Sequence, residues 1–242
     1  MMALKYEQIA EWLRRRISDG EIPPGGKLPT GREIATEWGV AMGTVNKAID
    51  TLRDDGLVVS RQGSGHTVIE QAVARPAGHR KRGTSRLSGA APYRRVGLPE
   101  RAVPPQPVVD ALGLGPGEKA LKRVRVLLLD DGSSMSLVIA WFTLAVAEAC
   151  PKLAEMAPIA EGTTHYVRRC TGRSPVEAED ITRVALATEE EASLLGLERP
   201  AAVAVVLHTA FDQDHRALVC EVGVTPAHVF EETDNYPMGQ QN

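Results

Sequence analysis

The sequence predicts an α+β protein in two parts: an N-terminal group of three helices closed by a short hairpin, then a larger, mostly antiparallel β-sheet with a few covering helices. Three observations carry this reading. Apolar residues recur at helical spacing up to residue 55, a β-branched hairpin with glycines at its tip follows at 57–69, and from about Arg94 onward β-prone runs alternate with short capped helices.

Ile9, Trp12, Leu13 and Ile17 recur at spacings of three and four between Tyr6 and Gly20, which predicts the first helix. Pro23-Pro24-Gly25-Gly26 then turns the chain. Thr30 is an N-cap with Glu33 three positions on, a capping box over a helix at 31–38 that shares Ile34, Ala35 and Trp38 on one face and ends at Gly39. After Val40, a helix at roughly 43–55 puts Val45, Ala48, Ile49 and Leu52 inward and leaves Thr44, Asn46, Lys47 and Thr51 outward. That outward face is polar and short-armed, as a helix entering a DNA major groove requires. Leu57-Val58-Val59 and Thr67-Val68-Ile69 flank Arg61-Gln62-Gly63-Ser64-Gly65, whose glycines allow positive φ and close backbone approach. In this order the elements make a winged helix-turn-helix over residues 1–70.

Periodicity stops between Gln71 and Tyr93, a stretch rich in Ala, Gly, Arg, Pro and Ser that reads as a linker over 71–93. Its His79-Arg80-Lys81-Arg82 cluster is either a phosphate contact or a solvated basic run. Residues 94–236 form the second domain. Pro107 to Leu112 is a short helix. Ala120 to Leu129 and Ser134 to Phe142 are strands around an Asp130-Asp131-Gly132 turn, and Thr164 to Cys170 is a helix stopped by Gly172. Pro175 to Ala187 alternates as a strand. Thr188 and Glu191 cap a helix ending at Gly196, and Ala201 to Phe211 and Ala217 to Thr225 form a final hairpin. Arg123 and Arg125 alternate on one strand and so point the same way. If they face inward they need an anion from the protein or from a ligand; the alternative is solvent-exposed strand arginines.

The chain is 43% apolar and 24% charged, with net charge −3. Split by position, residues 1–86 hold 14 Lys/Arg against 10 Asp/Glu and the remainder 14 against 21, so the basic part is the helix-turn-helix part, as phosphate attraction requires. Cys150, Cys170 and Cys220 are odd in number and in no CxxC pair, which points to buried reduced thiols rather than a disulfide framework or zinc site. No metal-ligand spacing, cofactor loop or Ser/His/Asp order stands out, and no cofactor is expected; His208 on an apolar strand reads as a core residue. The longest nearly apolar run, Leu137 to Ala147, is too short to span a bilayer, so a cytoplasmic protein without membrane contact is expected.

The N-terminal part resembles the GntR family of bacterial transcription regulators. The likeness lies in Tyr6-Glu7-Gln8-Ile9, Pro24-Gly25, Lys27-Leu28-Pro29, Arg32-Glu33, Gly39-Val40, Thr44-Val45, Leu52, Gly56-Leu57-Val58 and Arg61-Gln62-Gly63-Ser64-Gly65. It implies DNA contacts from Arg32, Thr44, Asn46, Lys47, Arg61, Gln62, Gly63 and Gly65, set against a surface salt bridge for Arg32, local helix bonding for Thr44 and a structural hairpin for the wing. Ala41-Met42 and Asn46 replace positions that often hold Ser/Thr-Arg and a later Arg, which shifts expected base reading away from guanine.

The second part resembles the UTRA effector domain of the HutC-type branch, similar in fold to chorismate lyase. Here the likeness lies in Ala111-Leu112-Gly113-Leu114, Pro116-Gly117-Glu118, Arg123-Val124-Arg125, Asp131-Gly132, Glu190-Glu191-Ala192, Leu194-Leu195-Gly196-Leu197 and Glu221-Val222. It implies an effector pocket at Arg123, Arg125, Trp141, Thr164, Tyr166 and Glu221, for a small and anionic ligand. Val138 stands where sugar-phosphate-binding relatives commonly carry Glu, which points to a more apolar ligand. Together these imply a homodimeric, ligand-responsive repressor released from a palindromic operator. An enzyme of lyase-like fold and a ligand-free DNA-binding plasmid-maintenance protein are the alternatives.

Overall fold

The computed structural model describes residues 4–54, 57–61, 65–69, 73–74, 91–156, 159 and 163–232. The first unit packs α1 (Lys5–Ser18), α2 (Gly31–Trp38) and α3 (Met42–Asp54) around one apolar cluster, with Ile9, Leu13, Ile34, Val45, Ala48 and Leu52 fully buried in it. The expected capping box on α2 is present: the Glu33 amide donates to Thr30 Oγ1 and the Thr30 amide to Glu33 Oε2. Those bonds favour the charged carboxylate and hold Glu33 below its usual range. Gly39 closes α2 at φ 59°, the left-handed conformation that lets the chain turn directly into α3. Trp12 and Trp38 meet edge to face at 5.8 Å and lock α1 against α2. The hairpin of β1 (Val58–Arg61) and β2 (Gly65–Val68) runs in register from Val58↔Val68 to Arg61↔Gly65, so its strands reach further into the expected loop than the β-branched runs alone indicate.

The second unit is a seven-stranded antiparallel sheet in the order β3-β4-β5-β6-β9-β8-β7, built from β3 (Val73–Ala74), β4 (Ala91–Ala102), β5 (Ala120–Leu128), β6 (Ser134–Thr143), β7 (Glu177–Leu186), β8 (Ala202–Phe211) and β9 (Ala217–Pro226). Here the expected linker over 71–93 needs correcting. Val73 and Ala74 pair with Pro92 and Ala91, and Tyr93 pairs with Leu127, so both ends of that stretch belong to the sheet. Strand β4 escapes the alternation rule because Gly97 and Pro99 interrupt it; the chain absorbs them as a bulge between Val96 and Glu100, with Gly97 at φ 64°. The His79 to Arg82 cluster lies outside the described residues.

Each sheet face has its own cover. One face buries Val126, Leu137, Val205 and Val224 under α7 (Glu189–Leu195), and Trp141 and Cys220 under α4 (Gln106–Leu112). The other buries Leu121, Ala140, Phe142 and Val219 under α5 (Leu144–Ala149), a 3-10 turn (Pro151–Ala154) and α6 (Thr163–Thr171). Cys150 and Cys220 are buried free thiols, whereas Cys170 is only half-buried. Burial pushes Cys150 up to about 12 and Cys220 up to about 11.

The β8–β9 turn is clasped by Asp212. Its carboxylate accepts from the amides of Asp214 and Arg216 and from Arg173 Nε at 2.6 Å. Burial alone would raise this carboxyl, but the Arg216 amide, the Arg173 guanidinium and the Asp214 amide together hold it well below the usual carboxylate range. A group depressed in the folded state contributes stability above its unfolded pKa and loses it as pH falls through the folded value. Asp212→Asn is therefore expected to lower Tm at pH 7. The gap from wild type should shrink on acidification below about pH 4, as read by thermal unfolding across a pH series.

Candidate functional site

In the first unit the starts of α2 and α3 converge. A Cβ on Gly31 would lie 2.8 Å from the terminal methyl of Met42, so the two helix N-termini sit side by side. Around this junction Arg32, Ala41, Met42, Gly43, Asn46 and Lys47 are exposed and Thr44 is half-buried. Among the described residues Arg32 has no ion-pair partner and Asn46 no hydrogen-bond partner, which leaves both heads available. Lys47 leans over the Tyr6 ring at 4.1 Å, a cation–π contact that fixes its direction while keeping its charge on the surface. Two helix starts, the first already capped by Thr30 and Glu33, thus lie beside the cations Arg32 and Lys47 on one surface.

At the hairpin, Arg61 pairs with Gly65, which is exposed at φ 81°. Gln62 and Gly63 lie outside the described residues. One cation at the base of the wing was missed by pattern alone: Lys27 is exposed and bridged to Thr67 in β2. Its signal was present in the Lys27-Leu28-Pro29 run, but only the bridge shows that this run lies against the hairpin.

The second cluster occupies the α5–α6 face of the sheet. Register places Arg95 opposite Arg125, Arg125 opposite Val138, and Arg123 opposite Ala140, which in turn faces Glu221; His208 faces Glu221 and Asp180 faces His208. One sheet face therefore carries polar side chains on β4, β5, β9, β8 and β7, interrupted on β6 by Val138 and Ala140. Arg125 Nη2 donates to Glu221 Oε1 at 2.9 Å, over a floor kept low by Ala140. Arg123 donates to the carbonyls of Lys152, at 3.0 Å, and Leu153 in the 3-10 turn. Arg95 reaches the Glu155 carbonyl and the Tyr93 hydroxyl. Tyr166, buried in α6, accepts from the Lys152 amide and so holds the same turn from below; burial pushes its phenol up to about 12.

Burial first, then the neighbouring Arg95, and further on Arg125, push Arg123 down to about 10. Three guanidinium groups thus share a partly buried site in which, among the described residues, Glu221 is ion-paired to Arg125 and the Glu155 carboxylate acts on Arg123 from a greater distance. Arg95, His208 and Asp180 were not anticipated as part of it. The histidine is buried in the core as expected, its Nδ1 lying 2.6 Å from Asp180 Oδ1, while its buried Nε2 has no hydrogen-bond partner among the described residues. Thr164 is half-buried at the start of α6, on this same side. Trp141 is not brought to this cluster: it pairs with Lys122 and Cys220, one position out of phase with Ala140, and packs against Val108 and Leu112 of α4 on the opposite face. A one-residue offset along a strand reverses the face, which a spacing of three from Val138 conceals. Val138 itself is fully buried beside Leu127 and Met135.

A separate cleft of about 870 Å³ lies on the α4 face, lined among others by Asp110, Arg173, Glu179, Ile181 and Arg216. Its arginines are already matched, Arg173 by Asp212 and Arg216 by Asp212 and Asp214. No group of three or more His, Cys, Asp or Glu able to hold a metal occurs among the described residues. Nor is any helix among them long and apolar enough to cross a membrane.

A three-helix unit with a hairpin wing, followed by an antiparallel sheet with a cationic cluster on one face, defines the class of two-part DNA-binding regulators. Residues 5–68 match the bacterial regulatory proteins of the gntR family, and residues 88–231 match the UTRA domain. The chain belongs to this family of GntR-type transcriptional regulators with a UTRA domain. It is 32% identical over 213 residues to the HTH-type transcriptional regulator RB1450 of Rhizobium meliloti, covering 82% of this chain and 81% of that one. To the HTH-type transcriptional repressor NagR of Bacillus subtilis it is 27% identical over 220 residues, covering 88% and 86%. A solved GntR-family regulator superposes with TM-score 0.55 at 25% identity, covering 98% of both chains. The family and these members are regulators of transcription, not enzymes.

Glu221 is the test of how the cluster is balanced. Glu221→Gln leaves Arg125 without its anion in a partly buried site, and is expected to lower unfolding stability by about 1–3 kcal/mol in urea denaturation at pH 7.

Proposed function

We propose that the chain is a homodimeric repressor, acting in the cytoplasm, that releases a two-fold symmetric operator when a small anionic effector binds at Arg95, Arg123 and Arg125. The observation that carries this is the partly buried trio of guanidinium groups with, among the described residues, one ion-paired carboxylate, a site whose electrostatic balance an anion would complete. In this reading residues 1–70 hold DNA, and the sheet domain up to residue 236 holds effector and partner, with the stretch after residue 70 joining them. Trp141 belongs to the core and is left out of the pocket; Thr164, Tyr166 and Glu221 stay in it. The buried Val138 beside Arg125 favours an effector with few hydroxyl groups near that point.

On the DNA side, Arg32, Thr44, Lys47, Lys27, Arg61 and the wing residues Gln62, Gly63 and Gly65 engage backbone, while Asn46 reads an adenine and Met42 packs on a thymine methyl. The relative NagR is itself named a repressor, which supports the sign of regulation.

Sites selected from a random pool by the whole chain are expected to be two-fold symmetric, and affinity by fluorescence anisotropy is expected to fall steeply with salt as phosphate counterions are released. Equal affinity for scrambled DNA would contradict DNA reading. Within that site, Asn46→Ala is expected to cost about 1–3 kcal/mol and relax one base per half-site, whereas Arg32→Ala weakens all sequences alike.

The paired substitution Arg123→Ala with Arg125→Ala is expected to keep operator affinity and abolish ligand-driven release. Metabolites are first screened by thermal shift, and hits are then assayed for operator release from wild type and variant. Normal release from the variant would remove these arginines from the effector site.

A further inference from the structure

Strand β7 ends the sheet, and its outer edge has no pairing partner among the described residues. It is unusual for an edge. It runs ten residues in unbroken register with β8, from Glu177↔Phe211 to Leu186↔Ala202, with no bulge. Its sequence, Glu-Ala-Glu-Asp-Ile-Thr-Arg-Val-Ala-Leu, contains no proline and no lysine. Soluble proteins blunt such edges with bulges, prolines and charges, because an open row of amides and carbonyls recruits another strand; the charges here, Glu177, Glu179, Asp180 and Arg183, are of both signs and so can be matched by a partner. Ile181, Val184 and Leu186 instead stand 52%, 79% and 67% exposed, and Val176, just before the strand, stands 64% exposed.

The residue pattern says what covers it. Two copies of one edge can pair antiparallel only about a two-fold axis normal to the sheet, which keeps each side chain on its own face and sets like parity against like parity. Centred on Ile181, this register places Glu179 of each copy opposite Arg183 of the other, Ile181 opposite itself, Ala178 opposite Val184, and Val176 opposite Leu186. Both acid–base pairs and every exposed apolar side chain of the segment are matched at once. Moving the centre one residue on, to Thr182, sets Arg183 against Ile181 and Asp180 against Val184, and loses the match. A foreign strand would have no reason to carry the mirrored pattern.

We infer that β7 is the self-association edge of this protein, joining two copies into one continuous antiparallel sheet through a pairing centred on Ile181. The inference rests on the homodimer proposed above and names its surface.

Sedimentation of the full chain over a concentration series tests it, with circular dichroism as the check on folding. Glu179→Arg alone and Arg183→Glu alone each set like charges opposite one another twice per dimer, and are expected to raise the dimer dissociation constant roughly tenfold or more. The exchange of both, Glu179→Arg with Arg183→Glu, restores opposite charges and should return it to near the wild-type value. A dimeric wild type whose single variants associate normally, or whose exchange variant fails to recover, would overturn this surface and leave the homodimer standing. A wild type monomeric at every concentration would overturn both.

Discussion

The pairing of β6 with β9 is the constraint on which the second domain depends. It sets Leu137 to Trp141 beside Cys220 to Val224, strands some 80 residues apart in sequence, and so makes the middle of the sheet a purely long-range structure. Because the side-chain period is two, that one register decides which residues share a face. It brings Glu221 within reach of Arg125, sends Trp141 to the far side under α4, and lines His208 and Asp180 up beyond Glu221. A slip of one residue would exchange a cationic face for an apolar one.

What that face does follows from how its charges are held. Arg123 is fastened to two carbonyls of the 3-10 turn and Arg95 to a third just beyond it, so these two guanidinium groups are fixed by neutral acceptors while Arg125 is paired with Glu221. Neutral bonds position a cation without neutralising it. An anion arriving here meets preorganised donors and need not order long side chains first. The turn that supplies the carbonyls is itself held by Tyr166, so a ligand that draws on the arginines pulls on the junction between sheet, turn and α6. Release of DNA by such a ligand requires only that the two conformations differ in operator affinity. Each tenfold difference corresponds to about 1.4 kcal/mol of coupling.

How far the sequence discloses this varies with the range of the interactions. The first unit was legible nearly to the residue, because a capping box at Thr30 and Glu33, a left-handed Gly39 and a 3.6-residue apolar stripe are local signals. Both hairpins flanking the central pairing were legible from their turns. The long strand β4 was not: it carries Gly97 and Pro99 in its middle and half-exposed side chains along its length, so neither alternation nor composition marks it. Losing β4 meant losing Arg95, which enters the cluster only through its pairing with Arg125. The facing directions of Arg123 and Arg125 could be read from one strand, but which residues on other strands shared that face could not, and Trp141 was misplaced for that reason.

The central claim is that the Arg95, Arg123 and Arg125 cluster is an anion site held by the 3-10 turn. Hydrogen exchange on the whole chain, with inorganic phosphate against chloride at constant ionic strength, measures this most directly. Phosphate is expected to slow exchange at the Lys152 to Glu155 amides and along Lys122 to Val126, and these effects should vanish in the Arg123→Ala, Arg125→Ala variant. Protection confined to residues 5–68, with the turn and β5 unchanged, would contradict it.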